Sequence, residues 1–144
     1  MYNILLLPII SGLIAQSAKF LIQTNGQRFS LKNILSYAGM PSGHSAMVVS
    51  LATIILLEFG LSSPIFALSF IFAIIIIRDA TGLRRYLGQH GQTLNVLVKD
   101  LGEDELLDKS YPHLLEKIGH TPAQIIVGGL IGFLISWLGY TFLA

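Results

Sequence analysis

Residues 41–57 form the stretch Pro-Ser-Gly-His-Ser-Ala-Met-Val-Val-Ser-Leu-Ala-Thr-Ile-Ile-Leu-Leu, in which a polar turn passes directly into an uncharged run. Pro41 fixes the backbone of the turn, and Gly43 lets the chain approach another group closely. Ser42 is a residue type that caps helices, so we expect a helix to begin here. His44 would then stand in the first turn of an apolar helix, where unpaired N–H groups favour anions.

The composition of the whole chain indicates a membrane protein. Of the 144 residues, 53% are hydrophobic and only 12% are charged, whereas a soluble domain typically has about 25% charged residues. The length allows one domain, residues 1–144. The chain has no cysteine, which excludes disulfides and thiolate metal sites.

Four stretches lack Lys, Arg, Asp and Glu and approach the length that a spanning helix needs; they are 1–18, 33–57, 59–77 and 121–144. We therefore predict an all-α polytopic membrane helix bundle, with about four transmembrane helices plus interfacial and cytoplasmic helices. The predicted spans are approximately 2–22, 44–58, 61–77 and 121–143, with a cytoplasmic loop at 78–120. Three spans, or a cleaved signal peptide, are the alternatives. The first basic residue, Lys19, follows the first apolar run, which argues against a signal peptide.

Segments between the spans predict further helices. Residues 30–39 are typical of a short interfacial helix, and residues 92–100 and 104–118 have apolar positions at helical spacing. In the last span, Gly128 and Gly132 lie four residues apart. Such a pair allows close helix packing and leaves a homodimer as an open alternative.

The distribution of basic residues indicates how the chain crosses the membrane. In a four-span chain, three of the nine basic residues lie in the first connection and six in the third, and these connections share one side. Because Lys and Arg are retained in the cytoplasm, we expect a multi-pass protein of the cell (inner or plasma) membrane with both termini outside. His44 and His120 open the second and fourth spans, so both would lie at the cytoplasmic face.

His120 begins a second polar constellation, at the start of the last span. Gln124 follows four residues later on the same helix face, so its amide could hold the imidazole ring in one orientation. A histidine with such an orienting partner can act as a nucleophile, an acid or a base. The alternative is that both histidines are ordinary polar residues at the membrane edge.

Residues 78–85, Arg-Asp-Ala-Thr-Gly-Leu-Arg-Arg, form a third polar cluster after the third span. Arginine is suited to bidentate phosphate contacts, and Asp79 needs a cationic partner such as Arg84 or Lys19. The alternative is that these charges only set the topology. No spacing of His, Asp and Glu strongly resembles a metal motif, so we predict no metal site and no cofactor.

These residues resemble the type 2 phosphatidic acid phosphatase superfamily, and most closely its small, divergent bacterial and plant branch, which is related to acid phosphatases and vanadium haloperoxidases. Residues 41–44 match its Pro-Ser-Gly-His motif, while Lys19 and His120 are similar to the lysine of its first motif and the histidine of its third. Residues 78–85, with Asn95 downstream, resemble a signature of the divergent branch. The resemblance covers almost the whole chain.

Two positions depart from the third motif of the superfamily. Leu114 stands six residues before His120, where the motif has an arginine, and Gln124 stands where it has an aspartate. Asp79 and Arg84 are candidates to supply the missing charges from another segment.

The resemblance implies a metal-independent hydrolase of lipid metabolism, which removes phosphate from a lipid phosphate monoester or pyrophosphate at the cytoplasmic face. It implies that His120 forms a phosphohistidine and that His44 protonates the leaving oxygen. Gln124, which can orient His120, and Asp79 are further candidate catalytic residues. The implied phosphate-binding residues are Lys19, Ser42, Gly43, Arg84, Arg85 and Asn95. The expected partners are a lipid phosphate and the bilayer, with no nucleic acid. The alternative is a non-catalytic phospholipid-binding or transport protein that retains the phosphate pocket.

Overall fold

The computed structural model describes residues 2–19, 22, 39–101 and 113–143. Within these ranges the chain is all-α, and the predicted class of membrane helix bundle is confirmed. The helices are α1 (Tyr2–Ala18), α2 (Gly43–Phe59), α3 (Pro64–Thr81), α4 (Leu83–Leu101) and α5 (Pro122–Leu143).

Two helical stretches of the described chain, Pro64–Asp100 and Pro122–Phe142, are long and apolar enough to cross a membrane. This number is smaller than the four spans predicted from the uncharged stretches. The other two apolar helices, α1 and α2, have 17 residues each. At 1.5 Å per residue such a helix is about 26 Å long, slightly less than the hydrocarbon core of roughly 30 Å.

Local sequence explains where the helices begin and end. Ser42 caps α2 as predicted, because its side chain accepts a hydrogen bond from the Ser45 N–H at 3.3 Å. Gly60 ends α2 with φ +79°, a left-handed conformation that glycine adopts without strain. Pro64 starts α3, where its missing N–H costs no hydrogen bond. Gly82 alone separates α3 from α4, and α4 includes the helix predicted at 92–100.

The segment after α4 differs from the sequence prediction. Residues 113–118 are irregular, so the helix predicted over 104–118 is wrong for these six residues. Asn95 gives the physical reason. Its side-chain amide donates to the Leu114 carbonyl at 2.9 Å and accepts from the Leu114 N–H at 3.0 Å, so these backbone groups bond to a side chain instead of a helix. Residues 102–112, and residues 30–38 of the predicted interfacial helix, lie outside the described residues.

The helix α2 is the centre of the bundle, because it packs against α1, α3 and α5. Its buried positions are dominated by small side chains, which let neighbouring backbones come close. They are Gly43, Ser45, Ala46, Val48, Ser50, Ala52, Thr53, Ile54 and Ile55.

A close contact joins α2 to α5 at three levels, which we call the small-residue seam. At its first two levels, a methyl group on the α5 glycine would collide with a carbonyl oxygen of α2. At the third, two serine hydroxyls lie 2.6 Å apart. The three pairs are Ser42 with Gly128, Ala46 with Gly132, and Ser50 with Ser136. Residue numbers rise together along both helices, so α2 and α5 are parallel.

The helix α1 runs the other way. Its Gln16 lies against Gly43, and its Gly12 lies against Met47 one turn further along α2. Because residue numbers fall along α1 as they rise along α2, the two helices are antiparallel. The end of α1 therefore meets the beginnings of α2 and α5 at one end of the bundle.

We expect the seam to control stability. The substitution Gly132→Ala should lower the free energy of unfolding by about 2 kcal/mol, because the new methyl group meets backbone that cannot move aside. The matched control is Gly129→Ala on the same helix, whose methyl group would lie 3.4 Å from a Val49 side-chain carbon. This control should be neutral or slightly stabilising. Thermal unfolding of both variants in detergent measures the difference, and equal effects would contradict the seam.

Candidate functional site

A small cavity of about 20 Å³ lies at the end of the bundle where α1 ends and α2 and α5 begin. It is lined by His44, Ile76, Asp79, Ala80, Arg84 and His120. Its volume is enough for one water molecule. The side chain of His44 is exposed, whereas that of His120 is only 4% exposed. A group larger than water would therefore have to enter beside His44, with His120 at the closed end.

The backbone around His120 is held by α3 and α4. The His120 N–H donates to the Ala80 carbonyl at 2.9 Å, which ties the start of α5 to the end of α3. Gly119 has φ +88°, and a side chain there would come within 2.7 Å of the Arg85 backbone nitrogen. Glycine is thus required at this position by both conformation and space.

The ring of His120 is oriented by Gln124, as the sequence suggested. The Gln124 side-chain oxygen lies 3.1 Å from His120 Nδ1 and also accepts the Thr121 N–H at 3.0 Å. Because a backbone N–H can only donate, the atom between these two groups must be the amide oxygen. His120 Nδ1 therefore carries the hydrogen, and Nε2 has the free lone pair of the neutral ring. Nε2 is the nitrogen that could attack an electrophile.

The surroundings also keep His120 neutral. Burial lowers the pKa of His120 most, while the hydrogen bond to Gln124 opposes this by raising it. The positive charges of Lys19 and Arg84, together with His44, lower the pKa further. A neutral imidazole near pH 7 is the form that acts as a nucleophile or base.

His44 occupies the second position of α2, after the Ser42 cap. The N–H groups of Gly43 and His44 belong to the first turn of α2, and N–H groups there have no acceptor within the helix. The positive end of the helix dipole lies at the same place. Arg84, Lys19 and Asp79 are all close enough to His44 to interact with it electrostatically.

Asp79 pairs with Arg84, one of the two cationic partners that the sequence suggested. The Arg84 Nε lies 2.5 Å from an Asp79 carboxylate oxygen, and the two side chains are about one-third exposed. This pair bridges the break at Gly82 and brings Arg84 to the cavity. Among the described residues, Asp79 makes no hydrogen bond to His120. The hydrogen-bond partner of the His120 ring is Gln124 instead.

Lys19 follows α1 directly and is buried, with 5% of its surface exposed. Its positive charge interacts with both imidazoles. The structure thus brings together, at one end of the bundle, residues that stand 101 positions apart in the sequence, Lys19 and His120.

Three of the proposed phosphate-binding residues have evident structural roles. The Ser42 N–H donates to the Gln124 carbonyl at 3.0 Å, so it fastens α2 to α5. Gly43 makes room for Gln16, whose side chain would lie 3.2 Å from an added methyl group.

Asn95 holds the backbone of Leu114 by hydrogen bonds and is not one of the residues that line the cavity. Arg85 is exposed and does not line it either.

Sequence reasoning did not anticipate two contributors to the site. The Ala80 carbonyl positions His120 through its backbone, and Ile76 lines the cavity with an apolar side chain. Alanine and isoleucine side chains have no polar or reactive group, so the sequence does not mark them as part of a site. Only the packing of the helices shows that these two residues belong to it. In the described ranges, no group of three or more His, Asp or Glu side chains is placed to hold a metal ion.

Residues 2–135 match the family described as the divergent PAP2 family. The chain belongs to this family. A protein of Bacillus subtilis (strain 168), named "Uncharacterized membrane protein YuiD", is 41% identical to it, and the match covers 76% of each chain. No solved structure matches the chain. The resemblance drawn from the motifs is therefore confirmed at the level of the family.

The orientation of His120 gives a prediction for its titration. In the wild type, its ring should remain neutral down to a pH below about 6.5, the ordinary histidine pKa, with the proton on Nδ1. The substitution Gln124→Glu should raise the pKa of His120, because a carboxylate stabilises the imidazolium that an amide cannot. Nuclear magnetic resonance of the histidine ring nitrogens measures both the tautomer and the pKa.

The matched control for this titration is Gln92→Glu, which adds the same charge to an exposed position of α4. It should leave the His120 pKa unchanged. A wild-type His120 with the proton on Nε2, or equal shifts in the two variants, would contradict the proposed orientation.

Proposed function

We propose that this protein is a multi-pass phosphatase of the cell membrane, which hydrolyses a lipid phosphate monoester or pyrophosphate through a phosphohistidine. One observation carries the proposal: the cavity contains an imidazole whose Nε2 lone pair is fixed by Gln124, beside a second imidazole and Arg84. Membership of a phosphatase-related family supports the same chemistry.

In the first step, His120 Nε2 attacks phosphorus, and the bond from phosphorus to the lipid oxygen breaks. His44 gives its proton to that leaving oxygen, which leaves as the lipid alcohol, or as the lipid monophosphate when the substrate is a pyrophosphate. In the second step, water attacks the phosphohistidine while His44 takes one of its protons. Phosphate leaves, His120 is neutral again, and His44 is protonated for another cycle. No metal ion is required at any point.

The positive charges around the cavity stabilise the phosphoryl group during both steps. We assign this role to Lys19 and Arg84, and the N-terminus of α2 adds its dipole. Positioning and charge stabilisation provide most of the catalysis in phosphoryl transfer. Asp79 limits the excess positive charge and fixes Arg84 by their ion pair.

We place this site at the cytoplasmic face, with both termini outside. The basic residues of the sequence favour that orientation. The name of the Bacillus subtilis relative describes a membrane protein, which agrees with a membrane location here.

A non-catalytic lipid phosphate binder is the competing function, and specific residues favour it. Gln124 gives the imidazolium no negative charge, and Leu114 stands in place of the arginine in the third motif. Both differences would weaken the first chemical step more than they weaken binding. Turnover therefore distinguishes the two functions.

The test is phosphate release from phosphatidate, phosphatidylglycerol phosphate and a polyprenyl pyrophosphate by purified protein in nanodiscs. We expect His120→Ala to abolish release, because it removes the imidazole that Gln124 orients for attack, while His44 serves as the acid. We expect His44→Ala to lower the rate by about 10²–10⁴-fold, the usual contribution of a general acid.

The leaving group tests the role of His44 separately. With p-nitrophenyl phosphate the loss in His44→Ala should be smaller, because that phenolate leaves without a proton and His44 is then needed only to activate water in the second step. The control variants are His90→Ala and His113→Ala, whose side chains are exposed outside the cavity and should not matter. Release of phosphate by none of the lipids, or equal release by wild type and His120→Ala, would reject the proposed function in favour of binding.

A further inference from the structure

The end of the bundle bears a second, larger opening that shares His44 with the cavity. This opening is a groove of about 260 Å³ between α1 and α2, which we call the α1–α2 groove. Its walls are Ile9, Leu13 and Met47, its floor is Gly12, and its head is formed by Gln16 and His44. The groove therefore joins an apolar channel to the residues proposed to handle phosphate.

The wall residues face outwards. Leu13 is 63% exposed, and Ile9 and Met47 are each about 40% exposed. The floor exists because Gly12 has no side chain: an added methyl group would come within 2.5 Å of Met47 Cγ. Along α1, the groove runs from Ile9 to Gln16, which is about 10 Å at 1.5 Å per residue.

The polarity of the groove changes along its length. Its far end is purely aliphatic, whereas its head holds the Gln16 amide and the His44 imidazole. The Gln16 side-chain oxygen is buried and accepts no hydrogen bond from any described residue. A buried acceptor without a donor is uncommon and destabilising, so a ligand hydroxyl at this position would be favourable.

A second groove of the same volume, about 260 Å³, lies between α2, α3 and α5 and serves as an internal comparison. Phe66, Phe70 and Ile74 are among its lining residues, and Thr53 provides its one hydroxyl. None of the residues that line the histidine cavity lines this groove. The two grooves have the same volume and are both apolar, so these properties do not distinguish them. The difference is that His44 lines both the α1–α2 groove and the histidine cavity.

We propose that the α1–α2 groove binds one hydrocarbon chain of the lipid phosphate, and that Gln16 accepts a hydrogen bond from a hydroxyl next to the phosphate. The lipid would enter sideways from the bilayer, with its chain along α1 and its phosphate beside His44. A single-chain glycerol phosphate with a free hydroxyl, such as a lysophosphatidate, has this chemistry. The proposal rests on the proposed function for the phosphate end only.

Photocrosslinking tests the occupant without requiring turnover. The probe is a lysophosphatidate with a diazirine in its acyl chain, bound to wild-type protein in nanodiscs, and crosslinked residues are located by mass spectrometry. We expect crosslinks at Ile9, Leu13 and Met47, which an excess of unlabelled lysophosphatidate removes. The same probe without its phosphate should crosslink weakly and without preference.

Three crosslinking results would overturn the proposal. The first is crosslinks concentrated at Phe70 and Ile74, which would assign the chain to the other groove. The second is crosslinks confined to residues 23–38, which would mean that the lipid chain lies against another part of the protein. The third is an unchanged pattern with the probe that lacks phosphate, since the groove would then be ordinary lipid-facing surface.

A pair of matched variants tests the groove by kinetics. Leu13→Trp fills the α1–α2 groove, and Ile74→Trp fills the comparison groove with the same bulk. We expect Leu13→Trp to raise KM for long-chain lysophosphatidate by about tenfold, equivalent to losing about two buried methylene groups. Its kcat/KM for glycerol 3-phosphate should stay at the wild-type value. Ile74→Trp should change neither.

Glycerol 3-phosphate has no hydrocarbon chain, so its hydrolysis does not depend on the groove. It therefore shows whether the groove assignment or the proposed function has failed. Equal KM changes in the two tryptophan variants, with hydrolysis intact, would overturn the groove assignment alone. Absence of all hydrolysis would reject the proposed function, and the crosslinking pattern would still decide the groove.

The hydroxyl is tested by comparing lysophosphatidate with its 2-deoxy analogue. We expect wild-type protein to prefer the hydroxylated lipid by about tenfold, and Gln16→Leu to abolish this preference while binding both lipids. The control Gln92→Leu changes an exposed amide of α4 and should keep the preference. No preference in wild type would overturn the role of Gln16.

Discussion

The small-residue seam between α2 and α5 is the contact on which the rest of the structure depends. Its two glycines bring carbonyl-bearing backbone of α2 against α5, and the hydroxyl pair of Ser50 and Ser136 fixes the register. Because the two helices are parallel, their N-termini meet, and the histidine at each start comes to the same cavity. A shift of one residue along the seam would separate the imidazoles and place side chains where glycine is required.

Positive electrostatic potential is the second property of this end of the bundle. Two helix N-termini, Lys19 and Arg84 converge there, and Asp79 is the carboxylate that lines the cavity. Such a concentration of positive charge favours an anion in the cavity and disfavours a positive charge on the buried His120. The lowered pKa of His120 follows from burial and from these charges, so the same arrangement that favours an anion also favours the neutral form of this imidazole.

The departures from the superfamily motifs have structural substitutes. Gln124 replaces an aspartate, yet its oxygen still fixes the His120 tautomer because the Thr121 N–H defines which amide atom faces the ring. Leu114 stands where the motif has an arginine. Its backbone N–H and carbonyl are hydrogen-bonded by the Asn95 side chain. The cation at the cavity comes instead from Arg84 at the beginning of α4. In this chain the two histidines therefore share a cavity with Arg84, and Gln124 orients one of them.

The sequence by itself determined the helical class, the apolar stretches, the Ser42 cap and the polar residues at the helix starts, because hydropathy, capping and turn chemistry are local properties. It also indicated the partnership of His120 with Gln124, which needs only the spacing of one helical turn. Only the tertiary structure decided that Arg84 pairs with Asp79, that Asn95 holds Leu114 where a helix was predicted, and that one groove reaches His44. These contacts depend on which helix faces come together. That choice is made by steric fit at Gly128 and Gly132, which a single sequence records only as two small residues.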